Sequence, residues 1–260
     1  GLDPSTIFPF PLDDFQLEAI DALDQGHSVV VSAPTGSGKT LVGEYAIHRA
    51  LAHGQKVFYT TPLKALSNQK LRDFREAYGD DNVGLMTGDL SVNREASIVV
   101  MTTEIFRNML YAEASEHDDP LADVEAVVLD ECHYMNDSQR GTVWEESIIH
   151  CPPSVQLVAL SATVANAGQL TDWIEKVHGP TTLVLSDYRP VPLQFSFCSA
   201  KGLHPLLNDA GTGLHPNCKV WRAPKGHKRK GRSAKPPQPE PPPISFVAVS
   251  YTHLTLPTKA

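Results

Sequence analysis

"SVVVSAPTGSGKTLVGEYAIHRALAHG", residues 28–54, decides the fold. Its opening "SVVVSA" (28–33) is short, apolar and β-branched, the composition of a strand buried on both faces. The closing "KTLVGEYAIHRALAHG" is helical and ends in Gly54 after a basic last turn, a common helix stop. Between them "APTGSGKT" (33–40) fits the phosphate-binding pattern G-x-x-x-x-G-K-[ST], with Ala33 in place of the first glycine. A strand before the loop and a helix after it are the context that pattern requires. Pro34, Thr35, Gly36, Ser37 and Gly38 would form the cradle, the two glycines letting backbone N–H groups approach phosphate oxygens with no Cβ in the way. Lys39 is placed to neutralise β/γ-phosphate charge, and Thr40 to offer its hydroxyl to Mg²⁺. The helix N-terminus adds its positive dipole end. An ordinary glycine-rich turn would leave the lysine and threonine in register unexplained.

The same alternation continues outward. Strands are expected at 56–61, 82–87, 97–102, 125–130, 155–161 and 181–186, and helices over 63–79, 103–114 and 166–179. Continuous apolar strands separated by helices predict an α/β domain, a doubly wound and mainly parallel sheet with helices on both faces. Ligands of such sheets bind at the carboxyl ends of the strands. At one such end "AVVLDECHYMND" (126–137) places Asp130, Glu131, Cys132 and His133. Burying two carboxylates without a partner costs several kcal/mol or more, roughly, so a counter-charge is required. A metal ion on a bound nucleotide supplies it: Asp130 would hold Mg²⁺, and Glu131 would orient and deprotonate the water that attacks the γ-phosphate.

Composition excludes several classes. No apolar run reaches the ~20 residues of a membrane span, and the N-terminus lacks the order of a signal peptide. The four cysteines are far apart without a C-x-x-C pair, which argues against a zinc ribbon and suits a reducing, cytoplasmic setting. Net charge is −8, but unevenly spread: residues 1–221 carry 14 Lys and Arg against 29 Asp and Glu. Residues 222–239 carry seven basic residues and no acid. The acidic bulk repels phosphate, so any polynucleotide contact needs local donors. Residues 1–188 are read as the nucleotide-binding domain, 189–221 as the start of a following segment, and 222–247 as a basic, proline-rich, disordered tract. The tail 248–260, including "AVSYTHLTLPT", can be back-translated into a sequencing adapter and is read as an artefact outside the fold. Gly-Leu-His-Pro occurs at 202–205 and 213–216; His204, His215 and Cys218 lack a fourth ligand and are read as loop residues of a short duplication.

"APTGSGKT", "TTPLKALSNQK" (60–70), "DECH" (130–133) and "SAT" (161–163), in that order, resemble the superfamily 2 DExH-box helicases, specifically their Ski-like RNA helicase branch. The resemblance covers about residues 8–188 and implies a RecA-like P-loop NTPase fold, ATP and Mg²⁺ as cofactors, and single-stranded RNA or an RNA duplex with an overhang as substrate. RNA-processing or decay factors would be partners, and translocation would run 3′ to 5′. By position, "FPLDDFQ" (10–16) resembles the adenine-reading motif, with Phe10 stacking on the base and Gln16 bonding its edge; Phe10 could equally be a core plug. Pro62, Leu63 and Lys64 resemble the string that grips the nucleic-acid backbone. Thr87, Gly88 and Asp89, then Thr103, Glu104 and Arg107, would extend that track. Ser161, Ala162 and Thr163 resemble the motif that couples hydrolysis to strand movement, with the two hydroxyls bonding His133 or Asp130, and Cys132 as filler. "HYMND" and "RGTVWEE" (140–146) are the wording of the RNA-directed branch.

Members of that group have two RecA-like domains, and this chain resembles only the first. The 260 residues alone are therefore expected to bind ATP weakly and hydrolyse it negligibly. Three other readings stand beside the leading one. A DNA helicase of the same superfamily shares every motif. A P-loop ATPase or kinase acting on a small molecule would leave "TTPLKALSNQK" and "SAT" without a role. A non-catalytic binding module would rely on the basic residues 222–235.

Overall fold

The computed structural model describes residues 1–112, 119–136, 141–188, 196–199, 202–208, 210 and 212–215. The chain divides into two units, Gly1–Pro190 and Val191–Ala260. In the first, helices α1 (Pro4–Ile7) and α2 (Asp14–Asp24) precede strand β1 (Ser28–Ser32) and helix α3 (Thr40–Ala52). Then come β2 (Lys56–Thr61), α4 (Lys64–Tyr78), β3 (Val83–Met86), β4 (Ser91–Val92), β5 (Ile98–Thr102) and α5 (Thr103–Ala112). The unit ends with β6 (Val124–Leu129), α6 (Gly141–His150), β7 (Gln156–Ser161), α7 (Ala167–Val177) and β8 (Thr181–Leu185). The sheet order is β4-β3-β5-β2-β6-β7-β1-β8. Every neighbouring pair is parallel except β3–β4.

All seven expected strands form, within one residue at each end. The expected helices form too, with α5 described to Ala112. Helices α1, α2 and α6 and the two-residue β4 are additional to the expected elements. Asp13 starts α2 through a capping box, its side chain meeting the Gln16 backbone while the Gln16 side chain meets the Asp13 N–H.

Strand alternation sends residues to two cores. Val29, Val31, Tyr59, Val128 and Leu160 face α2, α3 and α4. Val30, Phe58, Val127, Leu129 and Ala159 face α5, α6 and α7. Gly43 lets α3 lie close to the sheet: a Cβ there would stand 3.3 Å from Tyr59 and from Val128. The chain leaves β1 for β2 and later returns to lay β6 and β7 between them. The loops after β1, β7 and β6 thus line up side by side, which fixes where the site must be.

At the opposite end of the strands, Arg49 anchors α3. Its guanidinium donates to Glu125 Oε1 at 2.6 Å, to Gln156 Oε1 and to the Leu23 carbonyl, and lies 3.5 Å from Asp24. Both Arg49 and Glu125 are almost fully buried. The cluster ties the last turn of the P-loop helix to the starts of β6 and β7.

In the second unit, β9 (Ser196–Ser199) pairs antiparallel with β10 (Gly202–Pro205), and Leu207 bridges to Leu214. The two Gly-Leu-His-Pro copies are therefore not equivalent loops: the first is a strand, and the second folds back on residues 206–208. No group of three metal-ligating side chains occurs among the described residues, and Cys218 lies outside them. So do residues 189–195, the basic tract 222–247 and the tail 248–260. No helix among the described residues is long and apolar enough to cross a membrane.

Breaking one partner of a buried ion pair costs about 3–5 kcal/mol because the other charge is left uncompensated. Arg49→Ala and Glu125→Ala should each lower unfolding free energy by about 3 kcal/mol, and the double variant by less than their sum. Urea denaturation of the four proteins measures this.

Candidate active site

The loop after β1 carries positive and donor groups that the described protein atoms leave unmatched. Lys39 is 6% exposed, and no carboxylate among the described residues pairs with it. The Ser37 hydroxyl is buried without a hydrogen-bond partner. The N–H groups of Gly38, Lys39 and Thr40 meet no acceptor among the described residues. Gly36 and Gly38 sit at φ +81° and +88°, a left-handed backbone that glycine adopts at no steric cost. At Gly38 space is short as well, since a Cβ would lie 2.8 Å from Gln16 Nε2. Donors converging at a helix start, with a buried ammonium beside them, are an anion site. The donor set fits a nucleotide's phosphates, and Thr40 and Asp130 carry oxygen atoms of the kind that Mg²⁺ favours.

Asp130 follows β6 and is 7% exposed. Its Oδ2 accepts from the Tyr59 hydroxyl at 2.7 Å, and Lys70 Nζ is 3.9 Å away. Its Oδ1 accepts from the Glu131 N–H at 2.9 Å. Glu131 adopts φ +52°, the left-handed region, which costs a residue with a Cβ about 1 kcal/mol. His133 Nε2 lies 3.1 Å from Glu131 Oε2, and its Nδ1 accepts from the Ala162 N–H at 3.1 Å. An N–H donor at Nδ1 puts the ring proton on Nε2, aimed at the Glu131 carboxylate.

The expected link from "SAT" therefore exists but runs through the backbone. Ser161 Oγ bonds the Ala162 carbonyl at 2.7 Å, and neither the Ser161 nor the Thr163 hydroxyl is bonded to His133 or Asp130. Ser32 Oγ, next to the P-loop, approaches the same segment at Val164 N, 3.3 Å. Cys132, expected as filler, is buried and interacts with the Ser161 hydroxyl, and burial pushes its thiol up to about 12.

Gln16 is buried, and its Nε2 donates to the Gly38 carbonyl at 2.9 Å while its Oε1 caps α2. It ties the segment before β1 to the P-loop. Phe10 is 53% exposed and rests beside Phe8, which is 7% exposed and is itself the core plug. Phe10 as a plug is thereby corrected, and its free face remains available.

The expected nucleic-acid residues gather at neighbouring strand ends. Thr61 Oγ1 bonds the Leu63 carbonyl at 2.9 Å and Ser67, which holds the Pro62–Leu63 turn at the start of α4. Thr103 Oγ1 donates to the Thr61 carbonyl at 3.2 Å. Lys64 pairs with Asp89, whose carboxyl Lys64 and then Thr87 hold below the usual range. The Lys64 charge is thus already met by a residue of the same track. Arg107 lies 3.7 Å from Glu146. A cleft of about 300 Å³ joins Pro62, Thr103, Glu104 and Arg107 to Asp130 and Glu131. Tyr59 and Lys70 are not among the residues expected from sequence; a tyrosine inside a buried strand is the available signal, since a buried phenol needs a polar partner.

The sequence pattern of the DEAD/DEAH box helicase family matches residues 13–170. The chain belongs to this family. It is 55% identical over 212 residues to the chloroplastic DExH-box ATP-dependent RNA helicase DExH15 of Arabidopsis thaliana, covering 81% of this chain and 18% of that protein. To the antiviral helicase SKI2 of Saccharomyces cerevisiae it is 45% identical over 235 residues, 90% of this chain and 18% of the yeast one. Among solved structures, Mycobacterium smegmatis helicase Lhr bound to ssDNA and AMP-PNP is similar with a TM-score of 0.56 at 28% identity, over 74% of this chain and 27% of that one. The chain thus spans under a third of each of these relatives. The expected RecA-like fold is shown.

Two outcomes follow for this helicase segment. Gly38→Ala should lower the affinity for a fluorescent ADP analogue at least about tenfold, because it adds both left-handed strain and a clash. Cys132 should resist iodoacetamide at pH 8 in the folded chain and react once urea unfolds it, as peptide mass mapping would show.

Proposed function

We propose that the protein containing this chain is an ATP-dependent RNA helicase, with these residues forming its first ATPase domain. The observation that carries the proposal is the row of β1, β7 and β6 loops, which brings to one end of the sheet a buried lysine, unpaired among the described residues, and an acidic pair hydrogen-bonded onward to "SAT". Lys39, Ser37 and the N–H groups of the P-loop would hold the ATP phosphates, and Gln16 and Phe10 the adenine. Mg²⁺, held by Thr40 and Asp130, would supply charge neutralisation of the phosphate oxygens. Glu131 would take the proton from water as its oxygen bonds the γ-phosphorus and the bond to ADP breaks, the electron pair leaving with ADP. His133 orients Glu131 and reports on it to Ala162. Pro62, Leu63, Lys64, Thr87, Gly88, Asp89, Thr103, Glu104 and Arg107 would line the strand track, and the cleft to Glu131 gives a bound strand direct access to the hydrolytic end.

RNA as the strand is supported by the name of the Arabidopsis relative, and DNA by the ssDNA in the mycobacterial Lhr structure. Decay or processing factors as partners, 3′-to-5′ movement and a cytoplasmic setting complete the reading; the buried Cys132 thiol suits a reducing compartment.

In the protein that carries this chain, RNA should stimulate ATP hydrolysis more than DNA of the same sequence. Glu131→Gln should retain nucleotide binding yet lose about 10²–10⁴-fold in turnover, the usual worth of a positioned base. Phosphate release measured with poly(U), poly(dT) and no polymer tests both. Stimulation by DNA alone would select the DNA reading, and turnover indifferent to either polymer would reject the helicase reading.

A further inference from the structure

Tyr59 is a completely buried phenol in the middle of the sheet, on a strand that also buries Val57, Phe58, Thr60 and Thr61. Its ring is fixed from two sides. Phe74 of α4 meets it edge-on at 4.9 Å, and across the P-loop helix Gly43 leaves the room that a side chain would take. The hydroxyl therefore has one direction, and it ends on Asp130 Oδ2 at 2.7 Å. Lys70, one turn before Phe74 on α4, holds its ammonium 5.5 Å from the Tyr59 ring centre, 5.9 Å from that of Phe74 and 3.9 Å from the same carboxylate oxygen. The Glu131 N–H occupies Oδ1. Both oxygens of Asp130 are thus oriented from within the protein, and the carboxylate plane cannot turn without giving up a buried hydrogen bond.

We propose that Tyr59 and Lys70 are positioning residues that aim the Asp130 carboxylate and thereby set the magnesium affinity of the nucleotide site. The inference rests on the nucleotide reading of that site. It adds a connection: Lys70 stands on the helix that begins at the Pro62–Leu63–Lys64 turn, so one rigid element touches both the strand track and the metal-facing carboxylate.

The test is a Mg²⁺ titration of a fluorescent ADP analogue bound to the protein that carries this chain. Losing an outer partner of a metal ligand costs about tenfold or more in metal affinity. Tyr59→Phe should raise the half-saturating Mg²⁺ concentration about tenfold while leaving binding without Mg²⁺ unchanged. Lys70→Met should shift it in the same direction, and Lys70→Arg should restore it. Lys70 is partly exposed, so its variants keep the test open if Tyr59→Phe does not fold. A purely structural role would lower the melting temperature and leave the Mg²⁺ curve in place. An unmoved curve in folded Tyr59→Phe and Lys70→Met overturns the positioning role alone, provided that Lys39→Ala has lost the nucleotide. Full nucleotide binding by Lys39→Ala would instead overturn the nucleotide reading, and this inference with it.

Discussion

The site depends on an ammonium held inside the protein with no acid among the described residues set against it. Lys39 is buried where the P-loop helix begins, and the backbone N–H groups of Gly38, Lys39 and Thr40 meet no acceptor among the described residues. That arrangement is unfavourable by itself and becomes favourable when an anion arrives, so affinity for phosphate is built in as an uncompensated charge. Asp130 is the reverse case. Its carboxylate is met by a phenol, a backbone N–H and a lysine, which lets it stay buried without being spent on Lys39. The intervening strand β7 keeps the loops of β1 and β6 apart, so the two opposite charges stay available to a ligand.

The strands were legible because a strand covered on both faces must be apolar at every position, and such runs stand out in any window. The P-loop was legible for a similar reason: backbone geometry at Gly36 and Gly38 restricts the residue type directly. Contacts between distant strand ends were not. Whether Ser161, Thr163 or the Ala162 N–H reaches His133 depends on the pitch of β7 against β6, which no local pattern encodes. Phe8 and Phe10 are alike as residues, and only the packing of α1 against α3 decides which is buried. β4 was too short to leave a pattern at all. It is the only antiparallel member among the described strands of its sheet, and it closes the β3 edge.

The strand track follows the same economy of charge as the nucleotide site. In a strongly acidic domain Lys64 does not stand free; it rests on Asp89, and Arg107 rests near Glu146. A polynucleotide would have to replace these acids with its own phosphates. Contact would then be an exchange of partners more than a gain of new ones, which favours reversible gripping over tight static binding.

Glu131 carries the remaining consequence. A residue chosen for comfort at its left-handed backbone would be glycine or asparagine, and the chain would fold more easily for the change. The acid there is a standing disadvantage to folding, which the proposed role of its carboxylate in hydrolysis would offset. Improving this domain for thermal robustness alone would therefore drift first toward silencing it.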